Sequence, residues 1–553
     1  MPVRNWQGTY TELCVHGAGS DLVTSAVLAR AVVEALLGAG VRHVVIAPGS
    51  RDAPLSFALY DAATAGALTL HTRIDERTAG FLALGIARSS HRPAAVVTTS
   101  GTAAANLHPA VLEAAHSGLP LVAVTADRPA RLRGTIANQT TDQVALFGTA
   151  VVTSTDVVGA SDLAGGLAGL SAGPVHLNVQ LDDPLVPTDH WVPSAPTTAP
   201  QRPEEREPLV LEPGPATVVV AGDDAGPSAR LLAEAAGWPL LAEPTSGARN
   251  GTHAIRTYRL LLGTPLAERI ERVVVVGSPT LSRPVQRLLS RPDLDVVVRR
   301  PRGVWADRPH PVTTEHDGPI TASGPVEPAW LDAWREADRD LSARLDELVA
   351  AEPDLTPYDV AAAVNAAVPA GGLLHVGASN PIRDLDLMAK AYPVGERRLL
   401  VANRGLAGID GTLSSAVGAA LGRPHTTRAL AYVGDVTFLH DLTGLVIGPG
   451  EDRPDLTIVV ANDNGGSIFA TLEQGAPEHA TAFDKLFGTP HDVDLASLCA
   501  ALRIPHWRVR DRAELDHALA SPNGGIEVVE AVVRRDNRRV LDERIRALAA
   551  GTI

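Results

Sequence analysis

Acidic and glycine residues follow two apolar segments in the last third of the sequence. Gly434 and Asp435 end one segment, and Asp463, Gly465 and Gly466 end another. Their spacing fits a strand–helix–strand unit, which would bring both carboxylates to one edge of a parallel sheet. Carboxylate oxygens suit Mg²⁺, and glycines let the backbone approach a diphosphate closely. The pattern therefore predicts a metal–diphosphate site, although ordinary turns after two strands would show the same residues.

Glu76 lies at the start of a segment with helical periodicity. Apolar side chains recur on one face of the predicted helix, at Ala79, Leu82, Ala83 and Ile86. A carboxyl group packed beside such a face can share a proton with a ligand. Two structural explanations stay open: acidic residues are favoured at helix N-termini, and Glu76 could pair with the arginine that follows it.

Arginines form a second set of candidate binding residues. Arg51, Arg128, Arg383 and Arg404 lie at the ends of predicted strands or in the loops after them. A guanidinium group can bind a carboxylate through two parallel hydrogen bonds, so arginines at these positions could contact an anionic ligand. Surface ion pairs are the alternative, since only two of the cationic residues are lysines.

Short segments rich in valine and isoleucine recur along the chain and must position these residues. They lie at 43–50, 94–102, 120–129, 173–181, 217–224, 272–279, 294–300, 372–379, 398–405, 429–435, 456–466 and 526–533. Continuous apolar runs without alternation indicate strands buried on both faces, as in parallel sheets. Segments of helical period lie between them. After Thr24, a predicted N-cap, one such face consists of Val27, Leu28, Ala31, Ala35 and Leu36. The predicted fold class is α/β, with doubly wound parallel sheets.

Two proline-rich stretches, 186–208 and 309–328, are typical of linkers and divide the chain. We expect three domains. Their predicted bounds are 1–188, 189–354 for a linker with a central α/β domain, and 355–553.

Composition excludes several classes of protein. The 553 residues include 48 Lys plus Arg and 63 Asp plus Glu, a net charge of −15, whereas nucleic-acid binders are usually basic. Cys14 and Cys499, the two cysteines, lie too far apart in sequence for a zinc motif and fit a reducing compartment. Neither a signal peptide nor a membrane-spanning run is evident, so we expect a cytoplasmic enzyme with no nucleic-acid or membrane partner.

Several phrases together carry a family resemblance. In order, they are APGSRDAPLSFAL, RIDERTAGFLALGIA, TSGTAAANLHPAVLEA, TADRP, ANQT, SNPIRD, NRGLAGIDGT, GDVTFLHD and NDNGGSIF. The chain resembles the 2-succinyl-5-enolpyruvyl-6-hydroxy-3-cyclohexene-1-carboxylate synthases, thiamine-diphosphate enzymes of menaquinone biosynthesis. Val436 and Asp463 depart from the usual cofactor motif, GDG followed by NN, but Asp463 remains a competent ligand for Mg²⁺. The resemblance implies three doubly wound parallel-sheet domains: pyrimidine-binding (1–188), central, and diphosphate-binding (355–553).

The resemblance also implies the cofactor site. Glu76 would be the catalytic residue that activates thiamine diphosphate. Mg²⁺, or Mn²⁺, would be held by the side chains of Asp435 and Asp463 and by the carbonyl of Gly465. The other cofactor-binding residues would be Gly434, Gly466, Ile468 and Ile409. For Ile409, which would bend the cofactor, core packing is an equal alternative.

The implied reaction joins 2-oxoglutarate to isochorismate with loss of CO₂. Ser379, Arg383 and Arg404 would hold 2-oxoglutarate, and Phe469 would line the reacting carbons. Isochorismate would be held by Ser50, Arg51, Arg128, Asn138 and Gln139, and by one of Arg299, Arg300 and Arg302. The histidines and the acid near the site, His71, His440, Asp441 and His491, are expected to be structural.

The family implies a homodimer or homotetramer with active sites between subunits. Two other functions stay open, namely another thiamine-diphosphate 2-oxoacid decarboxylase or acetolactate-synthase-like enzyme, and a non-catalytic effector-binding relic. Competition by dicarboxylate substrates would distinguish the other decarboxylases. Binding of thiamine diphosphate only in the presence of Mg²⁺ would argue against the non-catalytic relic. An NAD-linked enzyme is disfavoured because no GxGxxG opens a helix.

Overall fold

A computed structural model describes residues 24–194, 206–304 and 307–551. Cys14 and the rest of residues 1–23 lie outside the described residues. Three parallel sheets of six, five and six strands form the architecture, together with one two-stranded sheet. The predicted α/β fold class is confirmed.

The first unit is a six-stranded parallel sheet in the order β2-β1-β3-β4-β6-β5. Its strands are β1 His43–Ile46, β2 Thr69–Thr72, β3 Ala94–Thr98, β4 Leu121–Asp127, β5 Thr153–Val157 and β6 Val175–Gln180. Its helices are α1 Ser25–Gly38, α2 Ala53–Thr64, α3 Glu76–Ser90, α4 Thr102–Ala105, α5 His108–Ser117 and α6 Leu163–Gly166.

The second unit has a five-stranded sheet in the order β12-β11-β10-β8-β9, and β13 pairs with β7 separately. Its strands are β7 Leu209–Leu211, β8 Thr217–Ala221, β9 Leu240–Ala242, β10 Arg272–Val276, β11 Asp295–Arg299, β12 Thr314–His316 and β13 Ile320–Ala322. Its helices are α7 Pro227–Ala236, α8 Tyr258–Leu261, α9 Pro265–Glu268 and α10 Arg283–Leu289, and α11 Ala329–Ala350 follows.

The third unit repeats the topology of the first, in the order β15-β14-β16-β17-β19-β18. Its strands are β14 Leu373–Val376, β15 Leu399–Val401, β16 Ala429–Gly434, β17 Leu456–Asn462, β18 His506–Val509 and β19 Ile526–Val532. Its helices are α12 Pro357–Ala367, α13 Asn380–Met388, α14 Thr412–Leu421, α15 Asp435–His440, α16 Ala480–Phe483, α17 Leu495–Ala501, α18 Arg512–Ala520 and α19 Arg538–Ala547.

Helix α3 joins the first unit to the third by packing against α14. A Cβ atom on Gly85 would lie 2.1 Å from the carbonyl oxygen of Ser415, and one on Gly418 would lie 2.2 Å from that of Leu82. Only glycine allows backbones to approach so closely. The predicted apolar stripe of α3 is buried, but residues 78–89 are buried on all sides because α14 covers a second face.

Helix α1 begins as predicted, because Thr24 caps it by accepting a hydrogen bond from the backbone N–H of Val27. The buried face, however, runs through Leu28, Val32 and Leu36, whereas Val27 is 51% exposed, so the predicted face is rotated away from the core. Strands β2, β5, β9, β12 and β18 lie at sheet edges and were not predicted, nor was the β7–β13 pair.

Hydrophobic clusters cross the boundaries between units. One contains side chains of the second and third units, with Trp334 and Leu341 of α11 between them. Another joins α3 and α5 of the first unit to α14 of the third. Within the described ranges, none of the helices is both long and apolar enough to cross a membrane.

Candidate active site

A cavity of 150 Å³ lies at the carboxyl ends of β14, β16 and β17. Ligands bind at this edge in doubly wound sheets. Nine predicted residues line it together: Gly434, Asp435, Asp463, Gly465, Gly466, Ile468, Ile409, Ser379 and Phe469. The two carboxylates meet because β16 and β17 pair in parallel, with Gly434 opposite Ala461.

Asp435 is buried and accepts three hydrogen bonds. Its Oδ1 accepts from the backbone N–H of Val436 at 2.8 Å. Its Oδ2 accepts from the N–H of Gly465 at 2.8 Å and from Nε2 of His491 at 3.0 Å. Burial raises the pKa of Asp435, and these hydrogen bonds oppose the rise. A carboxylate offers about four acceptor positions, so one stays available for a cation.

His491, which was predicted to be structural, donates a hydrogen bond to Asp435 in this site. Its Nδ1 accepts a hydrogen bond from the backbone N–H of Val493 at 3.0 Å. The proton of the neutral ring is therefore on Nε2, which donates to Asp435. Nothing in the local sequence signals this contact, because a loop far along the chain supplies it.

Asp463 carries a buried oxygen without a partner. Its Oδ1 has no hydrogen bond among the described residues. Burial and the negative charge of Asp435 raise the pKa of Asp463 to about 7. Two neighbouring buried carboxylates, one with an unsatisfied oxygen, fit a divalent cation. The described residues contain no cluster of three or more acidic, histidine or cysteine ligands, so phosphate and water would complete the coordination of Mg²⁺.

The two glycines after β17 pack against the segment above them. A Cβ atom on Gly465 would lie 2.1 Å from the carbonyl oxygen of Gly488, and one on Gly466 would lie 2.3 Å from that of Phe487. Gly465 also has a φ of +146°. Glycine is therefore required here for chain packing as well as for any approach to a diphosphate.

Arg383 and Arg404 form a pair of like charges beside the cavity. Arg383 donates to the carbonyl oxygen of Ser379 at 2.5 Å, and Arg404 donates to Oγ1 of Thr280 at 3.0 Å. Burial lowers the pKa of Arg383, and the charge of Arg404 lowers it further. The charges of Asp384 and Asp386 oppose this lowering. Two neighbouring guanidinium groups can bind an anionic ligand.

Arg404 also lines a larger cavity, of 680 Å³, where all three units meet. The three predicted central-domain candidates, Arg299, Arg300 and Arg302, line it too. Arg302 pairs with Asp224, whereas Arg299 donates to the Ser228 hydroxyl at 3.2 Å.

Glu76 is the first residue of α3, at the edge of the first sheet. The carboxylate of Asp75 caps the helix by accepting from the backbone N–H groups of Arg77 and Thr78. The Glu76 side chain is half-buried and has no hydrogen-bond or ion-pair partner in the described part of the chain. Its carboxyl group stays available to a ligand.

Asp52, which the sequence analysis missed, lies near Glu76. It is fully buried, and neither carboxylate oxygen has a partner among the described residues. Burial, together with the nearby charge of Glu76, raises the pKa of Asp52 to about 7.

The remaining predicted residues cluster at the same edge of the first sheet. Arg128 donates to the carbonyl oxygen of Gln139 at 2.9 Å and to Oγ of Ser100 at 3.3 Å. Arg51 donates to the carbonyl oxygen of Leu181 at 3.1 Å. Burial lowers the pKa of Arg128, and the charge of Arg51 adds to that effect. A second arginine pair therefore lies here, and the neighbouring Ser50 and Asn138 are exposed.

Glu76 and the 150 Å³ cavity belong to different units of the chain. All residues that line the 150 Å³ cavity belong to the third unit. Glu76 and the Arg51–Arg128 pair lie on the first sheet instead.

Two protein-family models match this chain, one in the first unit and one in the third. A family model described as thiamine pyrophosphate enzyme, N-terminal TPP binding domain, matches residues 27–146. The corresponding C-terminal TPP binding domain matches residues 385–529. These two matches confirm the predicted family of thiamine-diphosphate enzymes.

Similar individual proteins specify the family more closely. A 2-succinyl-5-enolpyruvyl-6-hydroxy-3-cyclohexene-1-carboxylate synthase from a Nocardioides species is 66% identical, over 94% of this chain and 97% of its own. The synthase from Kineococcus radiotolerans is 46% identical over 96% of this chain and 99% of its own. One from an Arthrobacter species is 46% identical over 96% and 93%. The chain thus belongs to the 2-succinyl-5-enolpyruvyl-6-hydroxy-3-cyclohexene-1-carboxylate synthase family of thiamine-diphosphate enzymes.

Proposed function

We propose that this chain decarboxylates 2-oxoglutarate with thiamine diphosphate and adds the resulting succinyl semialdehyde carbanion to isochorismate in a 1,4-addition. The observation that carries the proposal is the presence of two arginine pairs, Arg383–Arg404 and Arg51–Arg128, one at each sheet edge. Each substrate is a dicarboxylate, so each needs such a pair. A pyruvate-specific enzyme of the same fold needs fewer cations.

The residues at the third-sheet edge would hold the cofactor and its metal. Asp435, Asp463 and the carbonyl of Gly465 would bind Mg²⁺, or Mn²⁺, and through it the diphosphate. When bound, thiamine diphosphate supplies the electron sink for decarboxylation. Ile409, Ile468 and Phe469 would exclude water from the reacting carbons, because they form an apolar part of the wall of the cavity.

Glu76 would hold a proton against N1′ of the aminopyrimidine and so activate the cofactor. The free carboxyl group of Glu76 supports this assignment, and so does its position at the carboxyl edge of the first sheet.

The substrates would bind at separate arginine pairs. Ser379, Arg383 and Arg404 would orient 2-oxoglutarate. Isochorismate would be held by Ser50, Arg51, Arg128, Asn138 and Gln139. An arginine among Arg299, Arg300 and Arg302 would extend from the second unit toward isochorismate. The domain bounds 1–188, 189–354 and 355–553 would then separate pyrimidine, central and diphosphate functions.

Two copies of the chain would complete each active site. Glu76 and the other first-unit residues do not line the Asp435 cavity within one chain, which supports a homodimer or homotetramer with sites at subunit interfaces. Mixing inactive Glu76→Gln and Asp435→Asn chains tests this directly. In equal amounts and with free exchange in a symmetric dimer, about one quarter of wild-type activity should return. If each site lies within one chain, the mixture stays inactive.

Substrate competition tests the reaction itself. The purified enzyme is given 2-oxoglutarate, oxaloacetate or pyruvate with isochorismate, and products are identified by mass spectrometry. We expect the succinyl adduct from 2-oxoglutarate and little product from pyruvate. Acetolactate or an aldehyde formed equally well from pyruvate would favour the acetolactate-synthase-like alternative. Mg²⁺-dependent cofactor binding without any product would favour a binding-only protein.

A further inference from the structure

A carboxylate from the first unit holds the loop that carries Arg404. Glu113 lies on α5 and is 3% exposed. Its Oε1 accepts a hydrogen bond from the backbone N–H of Gly405 at 2.7 Å, and its Oε2 accepts one from that of Leu406 at 2.8 Å. Both oxygens therefore bind the two peptide groups that directly follow Arg404.

Glu113 is itself fixed by its neighbours. The hydroxyl of Ser117 donates to Oε1 at 3.0 Å, and the guanidinium of Arg88 lies 3.9 Å from the same oxygen. Arg88 also donates to Asp223 of the second unit at 2.9 Å. Burial raises the pKa of Glu113, whereas the N–H of Leu406 and the charge of Arg88 lower it. A buried carboxylate with this many partners is held in one orientation.

The loop makes close contacts on two sides. A Cβ atom on Gly405 would lie 2.7 Å from the carbonyl oxygen of Glu113 and 2.8 Å from Oγ of Ser117. On the other side, the Arg404 guanidinium donates to Thr280 of the second unit. Arg404 is thus clamped between α5 and the loop after β10.

We propose that Glu113 is a positioning residue that acts through Arg404 and thereby sets the affinity for 2-oxoglutarate. The inference rests on the proposed function, in which Arg404 binds a carboxylate of that substrate. Charge alone would give the opposite result: removal of a negative charge beside the Arg404 loop should strengthen the binding of a dianion. A weaker affinity after neutralisation of Glu113 therefore reports lost positioning.

The Glu113→Gln variant tests the proposal by steady-state kinetics. Its amide group would point an N–H at one of the two loop N–H groups, so that peptide loses its acceptor. We expect the KM for 2-oxoglutarate to rise by about 10-fold or more, because small misplacements of a binding group are costly. The kcat should change by less than about 3-fold, and the KM for isochorismate should stay at the wild-type value.

A double-mutant cycle separates positioning from general damage. In an Arg404→Ala background, Glu113→Gln should change the KM for 2-oxoglutarate by less than about 2-fold, because its only route of action is gone. Glu527→Gln is the matched control. Glu527 is also buried, accepts hydrogen bonds from Thr457 and Asn523, and lies at the opposite end of the third sheet. It should leave the KM for 2-oxoglutarate unchanged.

The results distinguish the proposed substrate site from the proposed role of Glu113. If Arg404→Ala leaves the KM for 2-oxoglutarate unchanged, the proposed substrate site is wrong. If Arg404→Ala raises this KM and a folded Glu113→Gln does not, the positioning role is refuted. Should Glu113→Gln fail to fold, Gly405→Ala pushes the same loop away from α5 and must raise the same KM. An unchanged KM in Gly405→Ala would then overturn the proposal.

Discussion

Loss of the His491 side chain should weaken metal binding through Asp435. His491 supplies one of the three hydrogen bonds that orient this carboxylate, and the backbone supplies the other two. A hydrogen bond to a charged acceptor contributes about 1.5–3 kcal/mol. Replacement of His491 by Asn shortens the side chain, so that its amide N–H group no longer reaches Asp435. We therefore expect metal affinity to fall about 10–100-fold, as for other residues that orient metal ligands.

The choice of substitution sharpens this test. The amide nitrogen of Gln can occupy the place of Nε2, so His491→Gln should retain the hydrogen bond to Asp435 and lose less than about 5-fold in metal affinity. His517→Asn, at an exposed position on α18, controls for the loss of a histidine elsewhere.

Mn²⁺ titration followed by electron paramagnetic resonance measures the affinity directly. Free Mn²⁺ is quantified at saturating thiamine diphosphate for wild type and the three variants. If His491→Asn and His491→Gln both bind Mn²⁺ like wild type, either Asp435 is not a metal ligand or His491 does not orient it. If both variants lose the same Mn²⁺ affinity, the hydrogen bond from Nε2 of His491 to Asp435 is not what supports metal binding.

Three other features of the molecule can be tested. Gly85→Ala should destabilise the protein by about 1–3 kcal/mol, because the added methyl group overpacks the contact between α3 and α14. Gly38→Ala is the control, since open space surrounds Gly38. Thermal unfolding compares the two variants, and equal unfolding midpoints would contradict the packing explanation. Burial lowers the pKa of His71 to about 3, of His176 to about 4 and of His375 to about 3. Because the unfolded chain binds these protons from about pH 6.5 downward, acidification from pH 6.5 to 5 should lower stability by up to about 1.4 kcal/mol per pH unit for each histidine, and His71→Gln should make the fall in the unfolding midpoint shallower. Finally, removal of divalent cations by EDTA should abolish tight thiamine-diphosphate binding, measured by tryptophan fluorescence; unchanged binding would argue against the Asp435–Asp463 metal site.

The internal strands were predictable because burial on both faces leaves a continuous apolar signature. β10, with the sequence RVVVV, is buried along its whole length. β5, with the sequence TSTDV, lies at a sheet edge, and all but one of its residues are partly exposed. Such a strand looks like a loop in the sequence, and only its hydrogen bonds to β6 define it.

The same limit applies to the site. Asp435 and Asp463 were predictable as neighbours because one strand–helix–strand unit connects them. Asp52 and Glu113 were missed, and His491 was predicted only as a structural residue, because each contacts a group that the tertiary fold brings near. Glu113 and Gly405 illustrate this, since a hydrogen bond of 2.7 Å joins residues almost three hundred positions apart. Local spacing carries no signal for such a contact.

The most direct test of the central claim is release of CO₂ from 2-oxoglutarate by enzyme loaded with thiamine diphosphate and Mg²⁺. It is measured with and without isochorismate, for wild type and Glu76→Gln. We predict strong turnover that depends on isochorismate and is lost in Glu76→Gln, while this variant still folds with a wild-type unfolding midpoint. Equal CO₂ release without isochorismate, or full activity in Glu76→Gln, would contradict it.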